Sequence, residues 1–137
     1  MKRIRIHGAD HMRAALIAAR DTGRAVVLVS PQAGLAGIGW WRRLMAQAAT
    51  EFPDVMFESV LDCGPSAGMA LAAIRTKVGP LQVSVTPDVL AKLSDIAQQA
   101  GIRAEGGGNH ALDLLGMPEA SRACRDWLAA EDADTGA

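Results

Sequence analysis

Tyrosine is absent, and phenylalanine occurs only twice in 137 residues. So few aromatic rings argue against a stacking platform for single-stranded nucleic acid. Neither sign of charge is in excess: fourteen Lys and Arg face fifteen Asp and Glu, for a net charge of −1. That balance removes the electrostatic case for nucleic acid or an anionic membrane as a partner. Cysteine occurs at two positions only, Cys63 and Cys124. They fit no metal-ligand spacing and read as two free thiols in a reducing compartment. Long apolar runs are also lacking. The uncharged stretch from Ala25 to Trp41 is broken by Pro31, Gly34, Gly37 and Gly39, so no segment is expected to span a membrane. The basic start (Lys2, Arg3, Arg5) is followed by no apolar core of a secretory signal, and the expected location is cytoplasmic.

What is present is a chain rich enough in apolar residues, at 50%, to bury one core. The expectation is a single α/β domain over residues 1–130, with an acidic, flexible tail over 131–137. From Lys2 to His7 charged and apolar residues alternate, as in a strand with one wet face. Asp10 suits the N-cap of a helix running from His11 to Thr22 and closed by Gly23. Ala25 to Ser30 is apolar on both faces, as a central parallel strand is. A loop rich in small residues follows, then a helix opened by Trp40 and Trp41, of which one is expected in the core and one near the surface.

Val55 to Leu61 reads as the third strand and Pro65 to Lys77 as the next helix. Leu81 to Val85 is the fourth strand. Thr86 then caps a helix that has Pro87 at its first position. Ile102 to Ala104 is a candidate fifth strand, and Gly106 to His110 a loop. The short segment 111–115 carries no clear period. Pro118 opens a last helix, with Cys124, Trp127 and Leu128 on one face.

This alternation predicts an α/β fold built from βα repeats, with a parallel sheet of four or five strands, half-TIM-barrel-like or flavodoxin-like. In such sheets ligands bind beyond the carboxyl ends of the strands. That rule selects residues 8–10, 30–39, 62–68, Thr86 and 106–110. Within the first group His7, Asp10 and His11 offer a metal or acid–base reading beside a plain cap with two surface histidines.

The densest chemistry lies in the turn Asp62-Cys63-Gly64-Pro65-Ser66-Ala67-Gly68. Its candidate catalytic residues are Asp62, Cys63 and Ser66. Its candidate ligand-binding residues are Gly64, Ser66 and Gly68, joined by Ser30 and Gly34 from the preceding strand and loop. Glycines let backbone approach a ligand, and a helix start favours an anion. Gly64 to Gly68 fits G-x-S-x-G, which would make Ser66 a nucleophile, with Asp88 or Asp95 and His110 as partners. Cys63 beside a helix start would have its thiolate favoured. The plain alternative has Asp62 capping the helix, the glycines permitting the turn and Ser66 at the second helical position.

Leu61-Asp62-Cys63-Gly64, then Ser66, then Ala73-Ile74, resembles the segment Leu-Asp-His-Gly, Ser, Ala-Ile of class II (metal-dependent) fructose-bisphosphate aldolases. The likeness extends over residues 10–78 and includes a Gly-Arg-Ala-Val-Val-Leu strand upstream. It implies an acid–base role for Asp62. Cys63 stands where the family has a zinc-binding histidine, and the chain is too short for the full (β/α)₈ barrel. A half-barrel or flavodoxin-like relative without the full metal site is therefore implied, and no metal ligand is assigned.

The expected function is binding of a small ligand, with anions among the candidates, at the carboxyl ends of the strands. One alternative is an enzyme, either a metal-assisted lyase through Asp62 and Cys63 or a serine hydrolase through Ser66. Another is an oligomeric scaffold or regulatory subunit, with Trp40 and Trp41 at its interface. A homo-oligomer is expected, because one copy leaves sheet edges to cover. The sequence names no cofactor.

Overall fold

A computed structural model describes residues 1–131. The expected acidic tail lies outside the described residues except for Glu131, which is exposed. The elements alternate as βα units: β1 (Lys2–Arg5), α1 (Ala9–Thr22), β2 (Val26–Gln32), α2 (Ala33–Ala36), α3 (Ile38–Glu51), β3 (Phe57–Asp62), α4 (Ala67–Arg75), β4 (Leu81–Val83), α5 (Pro87–Gln99), β5 (Ala104–Gly106), β6 (Ala111–Asp113) and α6 (Ala120–Ala129). The fold is α/β, with a parallel sheet in the order β5-β4-β3-β2-β1-β6. The sheet has six strands rather than the four or five expected. The added strand, β6, is three residues long and offers too little sequence to show a period.

Two compact units share this chain, the first comprising Met1–Val29, Ala46–Glu58 and the C-terminal stretch from His110, the second comprising Ser30–Met45 and Ser59–Asn109. In the first, β1 pairs in parallel with β2 and with β6, matching Ile4 to Leu28 on one side and to Leu112 on the other. Ile4, Ile6, Val26 and Leu28 are fully buried, as central-strand residues should be. Helix α1 packs against α6, and Met12, Leu16, Cys124 and Leu128 are buried. Trp127 donates its indole N–H to the Arg3 carbonyl at 3.0 Å, and the Lys2 ammonium lies 5.1 Å from its ring centre. Lys2 Nζ also reaches the Trp127 and Ala130 carbonyls, both at 2.6 Å, and so serves the C-terminal end of α6.

In the second unit, β3, β4 and β5 pair in parallel, with Leu61 opposite Leu81 and Leu81 opposite Ala104. Leu61, Leu81, Val83, Ala70, Ala73 and Leu93 supply its core. Trp41 is buried and Trp40 half-buried, their ring centres 6.2 Å apart, which is the division expected of them.

Several boundaries move from the sequence reading for local reasons. Helix α1 starts two residues early, at Ala9, with Gly8 as its N-cap. Asp10 therefore sits in the first turn, where its charge still suits the helix dipole, instead of capping. Pro118 precedes α6 by two residues instead of opening it, and the N-cap is Glu119. Among the described residues no helix is long and apolar enough to cross a membrane.

Candidate functional site

The second unit places Ser30, Asp62 and Gln82 toward the carboxyl ends of β2, β3 and β4. These are the buried polar side chains of the core, at 1%, 7% and 4% exposure. Burying a polar group is costly unless it is hydrogen-bonded, and each has a partner. The Ser30 hydroxyl donates to the Pro31 carbonyl at 2.6 Å and accepts the Asp62 amide at 2.8 Å. It thus ties the end of β2 to the end of β3.

The Asp62 carboxylate accepts the Gly64 amide at 2.8 Å, closing a two-residue turn on its own backbone. Asp62 therefore shapes the turn and does not cap α4, as one sequence reading had it. Gly64 carries φ +57, a left-handed conformation that costs a side-chain-bearing residue energy. The Gln32 side chain lies close against it: a Cβ at Gly64 would sit 3.1 Å from Gln32 Cδ. The Gly64 carbonyl accepts the Ser84 amide, and the Cys63 amide donates to the Gln82 carbonyl, both at 2.8 Å. The turn is thereby held on the end of β4.

Ser66 is the N-cap of α4, its hydroxyl accepting the Met69 amide at 3.1 Å. This places it one residue before the helix, not at its second position. Gly68, in the first turn, is exposed. Gly34 lies in the short helix α2.

The thiol of Cys63 is buried, and burial, with a smaller contribution from the Asp62 charge, pushes its pKa up to about 11. The helix start that would favour a thiolate is outweighed by desolvation. Cys124 is pushed up to about 11 by burial alone.

Register adds a feature the sequence did not reveal. Asp62 pairs with Gln82, and Gln82 with Glu105, so the three side chains stand in a row on one face of β3, β4 and β5. The available signal was a glutamine inside an otherwise apolar strand.

A zinc ion of the kind that class II aldolases hold needs a cluster of donor side chains. Among the described residues no three His, Cys, Asp or Glu side chains cluster as a metal site requires. A thiol with its pKa near 11 is also a poor ligand without such company. The donor set around Asp62 and Cys63 does not fit the ion. Asp88 and Asp95, the acids considered for a serine triad, lie on α5 in this unit. His110 belongs to the first unit, edge-on to Trp127 at 5.3 Å between ring centres. His7, Asp10 and His11 are in the first unit as well.

Comparison with protein-family models finds no match, and comparison with curated proteins finds none either.

Proposed function

We propose that the second unit binds a small polar ligand over the carboxyl ends of β2, β3 and β4. The observation that carries this reading is that the core gathers its buried polar side chains, Ser30, Asp62 and Gln82, at that end of the strands. Parallel sheets bind their ligands there, and pockets combine apolar walls with a few placed polar groups. An anionic group would face the start of α4, where the first amides of a helix have no carbonyl of their own turn to bond. Gly68, exposed there, leaves room for it. Ser66 holds the helix start in place, and Gly64 keeps the turn tight. No catalytic role is proposed for Cys63.

The test is an amide chemical-shift titration with inorganic phosphate and with fructose 1,6-bisphosphate, a polyol carrying anionic groups. Binding shifts the amides of Gly64, Ser66, Ala67 and Gly68, and Gly68→Leu abolishes those shifts while the protein stays folded. A Cβ at Gly68 meets only Ser66 Oγ, at an ordinary 3.7 Å, so the variant has space. Absence of shifts at the turn with both probes, or shifts that survive in Gly68→Leu, would overturn the reading.

The same reading includes a homo-oligomer in the cytoplasm. A second copy would cover an outer strand of the sheet, β5 or β6, and the exposed Leu35 of α2 is one residue it would bury. Native mass spectrometry of the protein and of Leu35→Ser tests it: a monomer in both discards the oligomer.

A further inference from the structure

The first unit holds chemistry that the proposed ligand site leaves unused. His7 follows β1, Asp113 ends the neighbouring strand β6, and His11 lies in the first turn of α1. We propose that His7, His11 and Asp113 form a second site, which hydrolyses a small acyl ester by general acid–base catalysis.

The hydrogen bonds set the protons. His7 Nε2 lies 2.7 Å from Asp113 Oδ1. In the neutral ring that nitrogen carries the proton and donates it to the carboxylate, which leaves the lone pair on Nδ1. Asp113 is held in place by the Leu115 amide, 3.0 Å from the same oxygen. The His7 backbone amide donates to His11 Nδ1 at 3.0 Å, so that nitrogen is bare and the proton of neutral His11 is on Nε2. The two rings meet edge to face, 5.8 Å between centres. His7 therefore offers a base at Nδ1, and His11 is fixed beside it.

The surroundings keep those roles. Burial and the nearby His7 lower the pKa of His11, against opposing contributions from Asp10 and Asp113. It stays neutral, and its Nδ1 keeps the bond from the His7 amide. The Leu115 amide, His7 and Arg5 together hold the Asp113 carboxyl below its ordinary value, against the opposing effect of burial. It stays charged and stabilises the imidazolium that forms on His7.

A cleft of about 540 Å³ adjoins His11, lined also by Asp10, Met117, Ser121, Arg122 and Arg125, a volume suited to a small molecule. The Asp113 side chain is half-exposed, so water reaches the pair. Carbanion chemistry would need water excluded, whereas hydrolysis uses it as co-substrate.

The step balances. Water gives a proton to His7 Nδ1 as its oxygen bonds to the acyl carbon. The acyl C–O bond breaks, and its electron pair goes to the leaving oxygen, which takes the proton back from His7 Nδ1. Ester and water thus give acid and alcohol, and His7 is neutral again.

The experiment measures hydrolysis of p-nitrophenyl acetate and phenyl acetate by the whole chain and its variants. His7→Gln is expected to slow both at least about tenfold. His11→Gln raises KM for both esters, because His11 lines the cleft that holds them. Asp113 is a positioning residue: Asp113→Asn slows the reaction and changes its pH profile, and Asp113→Glu restores part of the rate. Nitrogen-15 NMR of the wild-type imidazoles decides the matter if His7→Gln does not fold. A proton on Nε2 of both rings supports the site. A wild-type rate equal to that of His7→Gln, or a proton on His7 Nδ1, overturns it.

Discussion

Ser66 shows how one hydroxyl can be read two ways. In the sequence it sits in a G-x-S-x-G pattern; in the fold its oxygen is engaged by the Met69 amide. Ser66→Ala therefore removes an N-cap and is expected to lower stability by about 1 kcal/mol, measured by urea denaturation. Ser66→Asp, which can also cap, should lose much less. The two thiols behave alike although one lies in a turn and the other in a helix. With both pKa values pushed to about 11, neither is ionised at neutral pH. An aromatic disulfide reagent at pH 7.5 should titrate no thiol in the folded protein and two after denaturation. Asp62 and Ser66 were visible as candidates in the sequence because acid, glycine and hydroxyl cluster there. Their division of labour was not visible, because which donor each oxygen accepts from is fixed only when the turn closes.

Among the elements, those with a long period were the most legible. The stripes of α1, α5 and α6 and the apolar runs of β2 and β3 follow directly from their spacing. The three residues of β6 carry no such pattern, so neither that strand nor the place of Asp113 beside His7 is legible in the sequence. At the start of α1, Asp10 is the better capping residue in isolation, yet the N-cap is Gly8, two positions earlier. In α6 the buried face is narrow, and Leu128, fully buried, is one of its main anchors. Leu128→Ala is expected to cost about 2–5 kcal/mol, read from the shift of the urea midpoint, and Leu128→Met less than about 1.5 kcal/mol.

For the molecule as a whole, the class of fold was legible and the strand order was not. Alternating βα units require parallel strands, but nothing in the sequence says that the last strand lies beside the first. The buried and paired titratable groups set how stability follows pH. The pKa of His11 is lowered from 6.5 in the fold, so the unfolded chain binds its proton more readily. Stability must fall as pH drops below about 6.5. Asp113, also lowered, adds stability that is lost at still lower pH. Cys63 and Cys124 act at the other end: raised from 9.0 to about 11, they favour the folded state below pH 9, a contribution lost as pH climbs toward 11. Urea midpoints from pH 4 to 10.5 should pass through a plateau between about 7 and 9, and His11→Gln should flatten the descent between 6.5 and 5.

The pairing of β1 with β6, and of α1 with α6, also orders events at the ribosome. When Asn109 leaves the exit tunnel, every strand and helix of the second unit has been made, but the first unit still lacks its closing strand and helix. Met12 and Leu16 must wait for Cys124 and Leu128, more than a hundred residues downstream. Through most of its synthesis the growing chain therefore presents an uncovered apolar stripe near its start, the kind of surface that holding chaperones bind. Nascent chains stalled with Asn109 just outside the tunnel should be retained by such a chaperone, and chains with Glu131 outside it released.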